Sequence, residues 1–223
     1  RSIPTTLRVM RNLLFAHGTV YKALKPKHPE VQFGVAKNVT LFDPKNRWSP
    51  IDWPLARLLE WVWNGAWRNG IQNGKMFFKD VPEAKASLDF VGLNYYTHVL
   101  VGPASVSLLK MKFPKRRQEV ATEFGYPMYA EGLARALDFL KPLGVPIEIT
   151  ENGVADAHDT LREEHLRRHL WVLSNALSAG HDVRSYHHWS LLDNFEWAEG
   201  YTMRFGLHHV DFETQERTLR PSG

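Results

Sequence analysis

Along the chain, apolar residues fall first at spacings of three and four and then in short unbroken runs, and the two patterns alternate. Leu7, Met10, Leu14, His17, Tyr21 and Leu24 share one face of a helix predicted over residues 2–24, with Pro4 in its first turn and Pro26 and Pro29 beyond its end. Residues 31–36 read as a short strand, followed by a loop through Asp43-Pro44-Lys45-Asn46. Ser49-Pro50-Ile51-Asp52 opens a second helix with the look of a capping box; Leu55, Leu58, Leu59, Val62, Trp63 and Ala66 form its expected buried face, and Asn69-Gly70 and Asn73-Gly74 close the segment. A strand over residues 88–94 runs directly into Tyr95-Tyr96. After a long loop, a helix over 129–140 keeps Leu133, Leu137 and Leu140 in register before Pro142 and Gly144. A strand at 147–150 ends in a turn at Asn152-Gly153. Thr160-Leu161-Arg162-Glu163 resembles another capping box, opening a helix that Gly180 terminates. A strand over 183–189 follows, and residues 205–219 alternate like an irregular hairpin.

Helices alternating with strands at this spacing imply βαβ units and a parallel sheet. No glycine-rich phosphate loop follows any strand, which disfavours a dinucleotide fold. The expectation is an α/β fold of the (β/α) TIM-barrel type: about four βα units, half a barrel, with a β-hairpin after the last strand and residues 1–223 as a single domain.

Composition narrows the chemistry. With 223 residues, 43% hydrophobic, the chain suffices for one sizeable core and is short for two. It has no cysteine, which removes disulfides and thiolate metal sites and fits a cytoplasmic protein. The net charge of +4 comes without a basic stripe; the densest run, Lys110 to Arg117, contains Pro114 and reads as a solvated loop, so no nucleic-acid partner is expected. No apolar run is long enough to span a bilayer, and no membrane partner is expected. His165 and His169 lie four apart on a helix. They lack an adjacent third ligand and the His-Glu-x-x-His order, so they read as surface histidines, with no metal and no cofactor implied.

Eight Trp and twelve Phe suggest a large core or a groove lined with rings. Four features fall at or just after the predicted strand ends: Asn38 in a loop, Asn94-Tyr95-Tyr96, Glu151, and residues 189–197, which hold Trp189, Asp193, Glu196 and Trp197. In a (β/α) barrel those ends form the active face. Rings stack on sugar C–H faces, carboxylates and amides bind hydroxyls, and a tyrosine hydroxyl can aim a carboxylate. Taken singly, most of these aromatics read as core; taken together at successive strand ends, they read as a site.

Ile149-Thr150-Glu151-Asn152-Gly153 resembles the nucleophile signature of family 1 glycoside hydrolases, the retaining β-glucosidase family. Asn94-Tyr95-Tyr96, residues 189–197, Gly200-Tyr201, Arg204-Phe205-Gly206 and residues 214–218 resemble further blocks in the expected order, so the resemblance runs from about Pro4 to Ser222. It implies Glu151 as the nucleophile that forms a covalent glycosyl-enzyme and Tyr96 as the tyrosine that hydrogen-bonds it. It implies Asn94 beside the catalytic centre, Trp189 as a platform under the sugar ring, Glu196 and Trp197 on its outer hydroxyls, and Phe205 as an apolar wall. Glu196, an acid, is expected to repel 6-phosphorylated sugars. Tyr126 stands where a tryptophan often lines the aglycone side, and His187-His188 before Trp189 is an unusual pair.

The family's general acid/base sits in an Asn-Glu-Pro motif at the end of the fourth barrel strand, and no Asn-Glu dipeptide occurs here. The match begins just after that motif, so the chain is expected to be the C-terminal half of a β-glucosidase-type hydrolase, with Glu199 and Glu123 as conceivable stand-ins for the acid. Expected partners are a β-linked glucoside or related sugar and either a second copy or an N-terminal half-barrel chain. The competing reading is a non-catalytic sugar-binding or scaffold half-barrel that needs a partner chain.

Overall fold

The structure, a computed structural model, describes residues 3–103 and 114–223; Lys110 to Phe113 of the basic run therefore lie outside the described residues. Helix α1 (Ile3–Leu24) precedes strand β1 (Gly34–Asn38), β2 (Leu41–Pro44), α2 (Asp52–Glu60), α3 (Ala66–Asn73) and a small hairpin of β3 (Lys75–Met76) and β4 (Lys79–Asp80). Then come β5 (Phe90–Asn94), β6 (His98–Val101), α4 (Glu131–Leu140), β7 (Ile147–Asn152), α5 (Arg162–Ser178), β8 (Val183–His188), β9 (His208–Val210) and β10 (Arg217–Leu219). The main sheet has the order β1-β5-β7-β8, and every pair in it is parallel. Each crossover carries a helix, the arrangement of half a (β/α) barrel, and β9 and β10 close an antiparallel hairpin after the last strand.

Parallel strands need both faces covered, and here the helices cover one of them. Val91 and Leu93 of β5 and Ile147 and Ile149 of β7 pack with Leu133, Leu137 and Leu140 of α4 and with Val172 and Leu173 of α5. Each such side chain contributes about 1.5–3 kcal/mol when fully buried. Beyond the tips of β1 and β5 the chain bends and pairs again: β2 lies parallel to β6. The sequence reads there as loop, because four-residue strands have too little alternation to register.

Several expectations change. The face predicted for the second helix is only partly buried: Leu58 and Trp63 are exposed. A π-helical turn over Trp61–Gly65 shifts the helical phase, turning Asn64 inward, where its amide donates to Thr40 O and Glu60 Oε1 at 2.8 Å each. The segment then runs through Asn69-Gly70 and stops at Gly74, whose φ of 68° suits glycine. At α5 no side chain of Thr160 caps the helix; the buried Asp156 carboxylate accepts from the N–H groups of Leu161 (2.7 Å) and Arg162 (3.0 Å) instead.

His165 and His169 of α5 are buried rather than on the surface, their rings stacked 3.9 Å apart. They face the sheet, and burial lowers both pKa values, His169 to about 4. No helix among the described residues is long and apolar enough to cross a membrane.

Candidate active site

Strand β7 carries the central carboxylate, and its local irregularity determines where that carboxylate points. Strict alternation would put Glu151 on the same face as Ile147 and Ile149, against the helices. The register slips instead: Leu93 pairs with Ile149, but Asn94 pairs with Glu151. Toward β8, Ile149 pairs with Tyr186 and Asn152 with His188, again one residue longer on β7. Thr150 and Glu151 are therefore both only half-buried, while Asn152 turns into the core. An extra residue of this kind re-aims a side chain. Nothing in the amino-acid order of β7 announces the slip.

Glu151 Oε2 accepts a hydrogen bond from the Tyr96 hydroxyl at 2.6 Å. Burial, that bond and the negative charge of Glu151 push the Tyr96 pKa far upward, so the phenol stays a donor. Asn94 lies one strand over and accepts from the Thr150 hydroxyl at 2.5 Å, which ties the tip of β5 to the bulge. Asn152 stitches three strand tips together. Its amide donates to Tyr95 O (2.7 Å), its side-chain oxygen accepts from Tyr186 (2.8 Å), and its carbonyl accepts from Trp189 N (2.9 Å). Gly153 follows because of a close approach: a β-carbon there would overlap the Trp189 carbonyl oxygen.

Rings gather beside the carboxylate. Tyr96 lies 6.2 Å from Tyr126 and 6.5 Å from Phe205, centroid to centroid. Phe124, absent from the residues singled out in the sequence, joins both, at 5.5 Å from Tyr126 and 6.3 Å from Phe205. Burial raises the Tyr126 pKa, and the charge of Glu196 adds to it. Glu196 itself is held upward, first by burial, against a hydrogen bond from the Trp189 indole, with Glu151 and Glu199 repelling it. The structure thus brings Glu151, Tyr96, Tyr126, Phe205, Trp189 and Glu196 into mutual range. Trp197 stands apart at 83% exposure. Asn38 ends β1 rather than sitting in a loop, and its side-chain oxygen accepts from the Thr40 hydroxyl. Glu123 is committed to the Ala157 N–H, 2.9 Å from each of its oxygens.

Asp193 sits in the loop that carries Glu196 but plays a different part. Its carboxylate, without solvent exposure, accepts from Gly206 N (2.9 Å) and Val210 N (3.2 Å) and pairs with Arg220 (3.0 Å) and Arg204 (3.3 Å). It fastens the loop after β8 to the terminal hairpin, and so fixes Phe205.

Two hollows lie elsewhere, one of about 480 Å³ lined by Phe42, Trp53, Arg57 and Arg135, the other of about 310 Å³ by Tyr201, Phe212 and Arg217. Among the described residues, no group of three or more His, Cys, Asp or Glu side chains is placed to hold a metal ion.

The model of the family described as "Glycosyl hydrolase family 1" matches residues 1–223. A 1,4-beta-D-glucan glucohydrolase of Thermotoga neapolitana is 32% identical over 100% of this chain and 56% of its own length. A beta-galactosidase of Saccharolobus solfataricus is 32% identical over 99% of this chain and 47% of its own. Among solved structures, the family 1 β-glucosidase of Thermotoga maritima superposes with a TM-score of 0.88 at 30% identity, covering 100% of this chain and 56% of that one. A beta-glycosidase of Pyrococcus horikoshii gives 0.86 at 33%, covering 100% and 52%. The chain therefore spans about half the length of the relatives it matches, and aligns with their C-terminal part. Sequence match over the full chain and superposition of its sheet and helices agree that this chain belongs to glycosyl hydrolase family 1.

Proposed function

We propose that the chain supplies the nucleophilic half of a retaining β-glycoside hydrolase site, with residues 1–223 as a single half-barrel domain. The observation that carries this reading is the 2.6 Å hydrogen bond from Tyr96 to Glu151 at a strand tip ringed by aromatics. An ionised Glu151 oxygen attacks the anomeric carbon of a β-linked sugar, the new C–O bond forming as the bond to the leaving oxygen breaks. Tyr96 holds the carboxylate in line. Trp189 and Glu196 contact the sugar, Phe205 walls it, Asn94 supports the centre, and Tyr126 faces the leaving group. Trp197 joins the sugar subsite by a shift of its exposed ring. Relatives named as glucosidases and galactosidases support a β-glycoside and leave glucose and galactose both open.

A retaining site uses a second carboxyl about 5–5.5 Å from the first to protonate the leaving group. With none assigned in this chain, the leaving oxygen departs as an anion, so the chain alone turns over activated aryl glycosides. Its rate on cellobiose is lower by the roughly 10²–10⁴-fold that acid catalysis supplies. A second copy or a separate N-terminal half-barrel is the partner that would complete the site. Among the described residues, the outer edges of β1 and β8 have no strand partner in the main sheet.

Incubation with 2,4-dinitrophenyl 2-deoxy-2-fluoro-β-D-glucoside tests the reading by peptide mass. The fluoro-sugar should remain on the peptide containing Glu151 and be absent from Glu151→Gln. Sugar binding without labelling would replace the enzyme with a non-catalytic sugar-binding half-barrel.

A further inference from the structure

At the base of the loop that carries Phe124 and Tyr126 lies a buried charged cluster that the proposed chemistry does not use. His98 of β6, without solvent exposure, sets Nδ1 2.6 Å from Asp43 Oδ2 and Nε2 3.1 Å from Glu119 Oε1. The hydrogen bond of the ring is the one to Asp43; Nε2 meets the Glu119 oxygen as a close contact outside hydrogen-bond alignment. Arg135 meets the same Asp43 oxygen at 2.9 Å. Burial alone would raise Asp43; hydrogen bonds from His98 and Arg135 bring it down to about 2. The imidazole also stacks on Tyr129, centroids 4.1 Å apart and planes 25° from parallel.

This cluster closes the base of one loop. Glu119 at one end touches His98, and Tyr129 at the other lies on its ring, with the Tyr129 carbonyl accepting from the Tyr95 hydroxyl at 2.5 Å. Between them, Thr122 donates to Tyr126 O from both N–H (2.9 Å) and hydroxyl (3.0 Å), and Met128 N–H donates to Val120 O (2.9 Å). Thr97 anchors the return through Pro127 O at 2.6 Å. The loop's tip carries Phe124 and Tyr126. Packing of apolar groups would fill the same space at less desolvation cost than a buried imidazole between two carboxylates. What an apolar group cannot do is hold two chain segments at opposed points of one ring.

We infer that His98 is a positioning residue: by bridging Asp43 and Glu119 it fixes the 119–129 loop, and so sets the rings of Phe124 and Tyr126 that discriminate aryl from alkyl leaving groups. The selectivity part rests on the β-glycoside reading above; the loop-fixing part does not.

Two variants test it, Glu119→Ala, which spares the buried ring, and His98→Phe, which keeps the stack on Tyr129. Hydrogen exchange at the Thr122 and Met128 amides should quicken at least about tenfold in both. By titration calorimetry with thioglycosides, which resist cleavage, 4-nitrophenyl 1-thio-β-D-glucoside should bind about three- to tenfold more weakly, the scale of lost ring contacts, while methyl 1-thio-β-D-glucoside is unchanged. In a Phe124→Ala/Tyr126→Ala background, Glu119→Ala should cost no further aryl affinity. Unchanged exchange, equal weakening of both glycosides, or full additivity would each overturn the inference. If the wild type binds neither glycoside, the β-glycoside reading fails, and the exchange arm alone decides whether His98 fixes the loop. Should His98→Phe not fold, Glu119→Ala carries the test.

Discussion

Acid should weaken this fold in a pH window set by histidines rather than carboxylates. His165 and His169 of α5 stack at 3.9 Å, and His188 ends β8 within electrostatic reach of both. Burial is the main cause of all three low pKa values. Arg162 adds to it at His165 and His188, Arg168 at His165 and His169, while Glu131 pulls His169 the other way. His169 and His188 each lie at about 4 in the fold, against 6.5 for the free side chain. The unfolded chain thus binds more protons between those values, so stability is full above about 6.5 and is lost as pH falls toward 4. By linkage each of the two costs about 2 kcal/mol at pH 5 and about 3 kcal/mol once fully charged, upper bounds because the sites interact. That is a large share of a stability of about 5–15 kcal/mol. Asp43, Asp89 and Asp159, all lowered, give up their stabilisation only below about 3.8, a separate window. Glu60 and Glu196, both raised, oppose the fall weakly. Urea unfolding at pH 7.5 and pH 5 measures the effect. The wild-type midpoint should drop by roughly 1–2 M, and His169→Gln or His188→Leu should each recover about half of that drop. Parallel drops in the wild type and both variants would refute histidine charging as the cause.

Gly153→Ala drives a β-carbon into the Trp189 carbonyl; it should cost about 3 kcal/mol or more and alter the near-ultraviolet circular dichroism of Trp189, and an unchanged spectrum would show that the contact yields cheaply. Asp193→Asn unbalances two buried arginine contacts and should cost about 3–5 kcal/mol, read as a fall in Tm of roughly 6–20 °C. Lys37, lowered to about 8 by burial against the pull of Glu60, bears a charging cost in the fold at neutral pH. Lys37→Met should therefore stabilise by about 1–3 kcal/mol at pH 7, a gain that fades as pH rises from about 8 to 10.5; destabilisation would mean its bonds to Asn38 O and Asn64 outweigh the charging cost.

Much of this molecule can be read from the amino-acid order, because its main signals are local and periodic. Heptad-like spacing in 7–24 and 133–140, the β-branched run at 147–149 and the alternation of helix with strand reflect which side chains one helix or strand can bury. The blocks around Tyr96, Glu151 and 189–197 were legible for the same reason, each being contiguous in sequence. Tertiary structure alone decided the rest. The phase shift of the π-helical turn depends on Asn64 finding Thr40 and Glu60, and the aim of Glu151 depends on a slip against two neighbouring strands. Phe124 enters the ring cluster only through contacts with Tyr126 and, from far along the chain, Phe205. His165 and His169 look like surface residues until α5 lies on the sheet. Such features rest on contacts between residues far apart in the chain, where the free energy belongs to the pair and neither partner's sequence neighbourhood encodes it.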